Sequence, residues 1–112
     1  MEQTPIFQKS YDFYKHLYEN LRTISKRERF TWGERCEKYA LDILLLAMRA
    51  STKPKFEKRA YVVELSDRID SLKVLLRLGD DLRILDHKKY IARSGELIEI
   101  GKMAGGWMKS LS

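Results

Sequence analysis

Two histidines, one cysteine and two pairs of carboxylates are the residues of this chain whose types could do chemistry. A zinc or iron site needs a repeated pattern of His, Cys or carboxylate ligands. His16 and His87 are far apart in sequence, and neither belongs to such a pattern. Cys36 falls on the apolar seam of a helical segment, where a buried, inert thiol is expected rather than a nucleophile. Asp80-Asp81 and Glu96/Glu99 are neighbouring carboxylates, but nothing around them would raise one pKa and leave the other low, as acid–base work requires. No glycine loop follows a strand, so there is no phosphate cradle. The expectation is a protein that is not an enzyme and holds neither a cofactor nor a metal.

Charge is the stronger signal. Twenty-two Lys and Arg against sixteen Asp and Glu give a formal net charge of +6. A positive excess on a small domain points to an anionic partner. The cations fall into three groups. Lys26, Arg27, Arg29, Arg83, Lys88 and Lys89 gather around two turns at one end of the expected fold. Arg49, Lys53, Lys55, Lys58 and Arg59 gather at the other end, and Lys73 and Arg77, four apart, share one helix face. Glu57, Asp67 and Asp70 are close enough in sequence to neutralise some of them. Each group alone is either a solvated surface or a phosphate-binding patch. Aromatic residues do not interleave with the cations in a way that suggests base stacking, which favours recognition of backbone or shape.

The elements that must position these groups are helices. Apolar residues recur at steps of three and four, and period-two alternation never persists. Thr4-Pro5 reads as an N-cap followed by proline at the first helical position. The first helix is expected over about residues 5–25, with Ser10, Tyr14, Leu17, Leu21 and Ile24 on its stripe. Lys26 to Arg29 forms the first turn. Thr31-Trp32-Gly33-Glu34 reads as a capping box opening a helix over about 32–50, with Cys36, Ala40, Ile43 and Ala47 on its seam. A third helix over 54–84 carries Val62, Leu65, Ile69, Leu72 and Leu76, then Leu75, Leu78, Leu82 and Leu85, with Gly79 as a point of weakness. Asp86 caps a fourth over 87–110. Short connections make successive helices antiparallel neighbours, so the fold expected is an all-α, antiparallel up-down four-helix bundle in one domain.

The fourth helix carries two apolar seams. Leu97, Ile100, Ala104, Trp107 and Leu111 form one of large residues, and Ile91, Ser94, Ile98, Gly101, Gly105 and Met108 one of small residues. Both follow the spacing of coiled-coil packing. One seam can face the protomer's core, and another subunit is the simplest cover for the other. Candidate interface residues are Ile98, Gly101, Gly105, Trp107 and Met108. A tight crossing within the chain is the other use of the glycine pair.

Hydrophobic content of 44% with 34% charged residues excludes a disordered or membrane-embedded chain. The longest apolar run, Ile43 to Met48, is far short of a membrane span. The single cysteine excludes a disulfide framework, and the polar residues Met1 to Pro5 carry no signal pattern, so a reducing cytoplasm is the expected location.

Several segments taken together resemble a known family. They are Pro5-Ile6-Phe7-Gln8-Lys9-Ser10-Tyr11-Asp12-Phe13, Arg29-Phe30 before a capped helix, and Leu41-Asp42-Ile43-Leu44. Leu75-Leu76-Arg77-Leu78, Leu82-Arg83 to His87-Lys88-Lys89-Tyr90 and the closing Ile100-Gly101-Lys102-Met103-Ala104-Gly105-Gly106-Trp107 complete the set. The chain is similar to the accessory variability determinant proteins of diversity-generating retroelements. The four-helix proteins encoded in intervening sequences of bacterial ribosomal RNA genes, with a structural or RNA-binding role, are the near alternative. The resemblance to the first family implies a homopentameric, strongly positive ring of four-helix protomers. It implies a non-enzymatic partner of the retroelement reverse transcriptase that helps copy template RNA into mutated cDNA. It also carries the polymerase-contacting cations of that family onto Lys73 and Arg77, where lysine replaces arginine at the first and loses the bidentate fork.

Overall fold

A computed structural model describes residues 4–111 of the chain. Its helices are α1 (Pro5–Leu21), α2 (Lys26–Glu28), α3 (Glu34–Thr52), α4 (Lys55–Asp81) and α5 (His87–Ser110), with a π-helical turn Arg29–Gly33 joining α2 to α3. No strand is present among the described residues. α2, the π-turn and α3 form one continuous rod, since Glu28, Arg29, Gly33 and Glu34 all keep right-handed helical backbone angles. The architecture is therefore four long helical rods, 43 × 24 × 20 Å overall. α1 packs on α3 and α5, and α4 packs on the same two, so helices consecutive in the chain are neighbours in space.

The first turn differs from the sequence expectation. α1 stops at Leu21 rather than running to residue 25, and the next rod begins at Lys26 rather than at residue 32. Ser25 is the N-cap, its hydroxyl accepting from the Glu28 amide at 3.4 Å. Thr31 does not cap. Its hydroxyl donates to the Arg27 and Glu28 carbonyls, so it sits inside the helix. The π-turn adds a residue to the helical repeat and aims Trp32 at α4.

Other ends follow the expected punctuation closely. Thr4 accepts from the Phe7 amide at 3.2 Å with Pro5 in the first helical position. Pro54 is the cap residue, so α4 begins at Lys55, one place later than the expected start at residue 54. Asp86 holds the cap position of α5 without a side-chain capping bond. α4 ends in a Schellman arrangement in which the Ile84 amide reaches the Gly79 carbonyl at 2.9 Å and the Arg83 amide reaches Asp80 at 3.0 Å. Arg83 takes the left-handed conformation there, with φ 59°.

The core is built from one stripe per rod. Ile6, Phe13, Leu17 and Leu21 come from α1, and Cys36, Ala40, Ile43 and Ala47 from α3. Val62, Leu65, Ile69, Leu72 and Leu76 come from α4, and Leu97, Ile100 and Ala104 from α5. Phe13, not Tyr14, lies in the core; Tyr14 is at its border, its hydroxyl donating to Glu37 across the α1–α3 seam at 3.0 Å. Leu78 and Leu82, read as a continuation of the α4 stripe, are exposed, because a straight helix drifts off a seven-residue repeat. Gly79 does not interrupt α4. It is buried beneath the Trp32 indole.

Candidate nucleic-acid and assembly interfaces

The short connections bring the first two cationic groups to opposite ends of the bundle. At one end the C-terminal turn of α1 gathers two of them. The Arg29 guanidinium donates to the Arg22 carbonyl at 3.1 Å, and the Lys89 ammonium to the Thr23 hydroxyl at 3.1 Å. Cations at a helix C-terminus are favoured by the peptide dipoles, which fixes them there. Lys26, Arg27, Arg83 and Lys88 are exposed around them. At the other end Arg49, Lys55 and Arg59 are exposed, and the Lys53 ammonium lies 5.7 Å from the Tyr61 ring. Lys58 is different. Its ammonium donates to the Ala50 carbonyl at 2.7 Å and the Ser51 carbonyl at 3.4 Å, closing the end of α3, and it lies 5.6 Å from the Trp107 ring. That charge is engaged inside the protomer. On α4, Arg77 is exposed and Lys73 lies 4.0 Å from Asp70. Among the described residues Lys73 is the only cation of the three groups within ion-pair distance of a carboxylate. Glu57 and Asp67 neutralise none of them, so most of the positive charge faces solvent unpaired.

α5 presents its two seams differently. Leu97, Ile100 and Ala104 are buried, whereas Ile91 and Ile98 are 56% and 47% exposed. A side-chain carbon built on Gly105 would meet nothing within 4 Å. Gly101 borders α4 instead: the same carbon there would lie 3.3 Å from Lys73 Nζ and 3.6 Å from an Ile69 methyl. Trp107 stands apart from the open stripe. It is half-buried against the core and lines a cleft of about 410 Å³ with Thr4, Pro5, Ile6, Ser51, Lys58 and Met103. Met108 is half-buried.

A second open apolar face escaped the sequence reading. Tyr11 and Tyr18 on α1, and Leu41 and Leu45 on α3, are all exposed. The Tyr14–Glu37 bond shows that the tyrosine side of α1 borders α3. Phe7–Tyr11 and Tyr14–Tyr18 rings pair at 6.1 and 6.4 Å, with Lys15 and Arg22 over the outer tyrosines. The available signal was the seven-residue step from Tyr11 to Tyr18, which assigning Tyr14 to the core obscured.

The residues first weighed for chemistry form structural pairs. His16 Nδ1 is 2.6 Å from Glu96, whose other oxygen is 2.6 Å from Arg93, and Arg93 reaches Asn20 at 2.9 Å. This network ties α1 to α5. His87 Nδ1 is 2.9 Å from Asp80, holding the third turn. Among the described residues no group of three or more His, Cys, Asp or Glu could hold a metal ion. Cys36 is enclosed, and burial pushes its thiol up to about 12, away from reactivity. No described helix is long and apolar enough to cross a membrane.

The described residues form a basic four-rod bundle whose ends carry exposed cations and whose α1, α3 and α5 keep apolar side chains open to solvent. The chain belongs to the family described as bAvd-like, whose model matches residues 5–111. The match makes it an accessory protein of the variability-determinant type, a non-catalytic family that in general oligomerises and associates with a retroelement reverse transcriptase. No curated protein matches the chain.

Proposed function

We propose that this protein is a cytoplasmic accessory subunit of a diversity-generating retroelement. It closes into a homopentameric ring that binds the reverse transcriptase and the template RNA and cDNA. One observation carries the reading: among the described residues the two end groups of cations named above have no carboxylate within ion-pair distance, while α5 keeps an apolar, glycine-bearing stripe open on its outer side. Unpaired charge attracts phosphate, and ring closure multiplies it. Five protomers of +6 carry about +30, enough for strong, salt-dependent attraction to nucleic acid.

Position supports this division of labour at the ends and on α5, and the family resemblance supports it on α4. Lys26, Arg27, Arg83 and Lys88 at one end, and Arg49, Lys55 and Arg59 at the other, contact phosphates. Arg29, Lys53 and Lys89 contribute charge from more constrained positions. Lys73 and Arg77 on α4 contact the polymerase. Ile98, Gly105 and their neighbours on α5 pack against the next subunit. The test measures mass in solution by light scattering, and RNA and DNA affinity across a salt series. A pentamer whose affinity falls steeply with salt and ignores sequence is the expected result. A monomer at micromolar concentration, or affinity flat in salt, would falsify it.

A further inference from the structure

Among the described residues the most exposed large apolar side chain is Phe56, at 86%, and the next most exposed aromatic ring is Phe30, at 63%. Both lie inside the cationic ends. Phe56 is in the first turn of α4, next to Lys55, with Lys53 three residues before it and Arg59 three after. Phe30 is in the π-turn, next to Arg29, with Lys26 and Arg27 one helical turn before it. So each basic end presents one open phenyl ring among lysines and arginines, where the sequence pattern alone suggested no base stacking.

Neither ring serves the protomer. A phenylalanine left in water forgoes the burial that makes it useful in a core, and other residues form helix better at an exposed position. An unpaired nucleobase offers what both rings and their neighbours lack: a flat π-face for the phenyl, and a phosphate alongside for the cations. A duplex offers only the phosphates, because its bases are stacked on one another. We infer that Phe30 and Phe56 are stacking platforms, so that the two basic ends bind unpaired RNA or DNA in preference to duplex. This rests on the nucleic-acid reading above and adds to it the form of the strand. The platforms lie toward opposite ends of a molecule 43 Å long, so a short oligonucleotide occupies one and a longer strand reaches both.

The experiment uses the full-length protein with three probes: an unstructured oligoadenylate, an oligouridylate and a blunt hairpin carrying the same number of phosphates. The variants are F30A, F56A, their double, and the double F30W/F56W. The expected result is a loss of about tenfold in single-strand affinity for each Phe→Ala change. Hairpin affinity and the salt slope stay as in the wild type, because the phosphate contacts remain. The tryptophan double variant keeps wild-type affinity, and its added fluorescence is quenched by the bound strand. Equal losses on hairpin and single strand overturn the inference, as does no loss at all. A fall in oligomer mass for F30A or F56A also overturns it, showing the rings to be protein contacts. Wild-type protein that binds none of the probes overturns the nucleic-acid reading itself, whereas binding that survives the alanine changes overturns the stacking role alone.

Discussion

The Trp32 indole packs directly against Gly79. Its Nε1 donates to the Leu75 carbonyl at 2.7 Å, and a side-chain carbon built on Gly79 would fall 2.2 Å from the ring. This contact locks the π-turn to α4. It explains both a glycine in a helix interior and the extra residue in the preceding rod. The ring is buried and fixed by its hydrogen bond, so it cannot step aside. G79A should therefore cost about 2 kcal/mol by overpacking, despite alanine's better helix propensity. A fall of about 10 °C in the melting temperature followed by circular dichroism is the expected readout. An unchanged or higher value would show that the ring moves freely.

Arg83 offers the opposite case. It occupies the left-handed position of the Schellman turn, where glycine is the usual residue and an L side chain is strained by roughly 1–2 kcal/mol. R83G should raise stability by about 1 kcal/mol while removing an unpaired cation from the basic end. The two effects separate cleanly. Denaturant midpoint should rise, and nucleic-acid affinity should fall equally across sequences with a shallower salt slope. If affinity is untouched, Arg83 contacts no phosphate.

These two residues also mark the boundary of what the sequence reveals. The seam Cys36, Ala40, Ile43, Ala47 was legible because its steps of three and four are uninterrupted, and all four are fully buried. Thr4-Pro5 was legible because its signal is local. The first turn was not, because Ser25…Glu28 and Thr31…Glu34 both satisfy the capping-box spacing. The choice between them involves the docking of Trp32 on α4, a contact between residues far apart in sequence. The basic ends followed from topology once helix order was known. Phe30 and Phe56 did not, since a lone phenylalanine beside cations carries no period that tells surface from core. The uncovered α5 stripe was visible as a second seam, while the tyrosine face of α1 was hidden by the resemblance of Tyr14 to a core position.

Stability should also respond to alkaline pH in a defined direction. Burial pushes the Cys36 thiol from 9.0 up to about 12. Burial first, and then the hydrogen bond and charge of Glu37, push the Tyr14 phenol from 10.0 up to about 12. Both groups are neutral when protonated, and the folded state holds their protons more tightly than the unfolded state. Their contribution is complete below pH 9 and is lost as pH rises toward 12. Urea midpoints from pH 8 to 11 should fall more steeply for the wild type than for the double variant C36A/Y14F. Equal slopes would assign the alkaline loss to other groups. The native thiol should react with a disulfide reagent only after urea is added.

Gly105 decides whether α5 meets another subunit. Among the described residues nothing beyond its own helical turn lies within 4 Å of the carbon that a side chain would add there, so no contact between helices of the protomer requires glycine. In an exposed helix interior, alanine is favoured over glycine by about 1 kcal/mol. A glycine kept at that cost is explained if a neighbouring backbone approaches closely. The two substitutions G105A and G105L then have opposite consequences in the two cases. On a free surface, G105A stabilises by about 1 kcal/mol and G105L is nearly as well tolerated, both leaving solution mass unchanged. In a subunit contact, G105L keeps the helical circular dichroism signal of the protomer but cuts the light-scattering mass to that of one chain. The second outcome is expected. As a control, G106A, at a position equally open but about 100° further round the helix than Gly105, should leave the mass intact. If G105L retains the full assembly, the α5 stripe is not the contact, and the tyrosine face of α1 with Leu41 and Leu45 becomes the surface to mutate next.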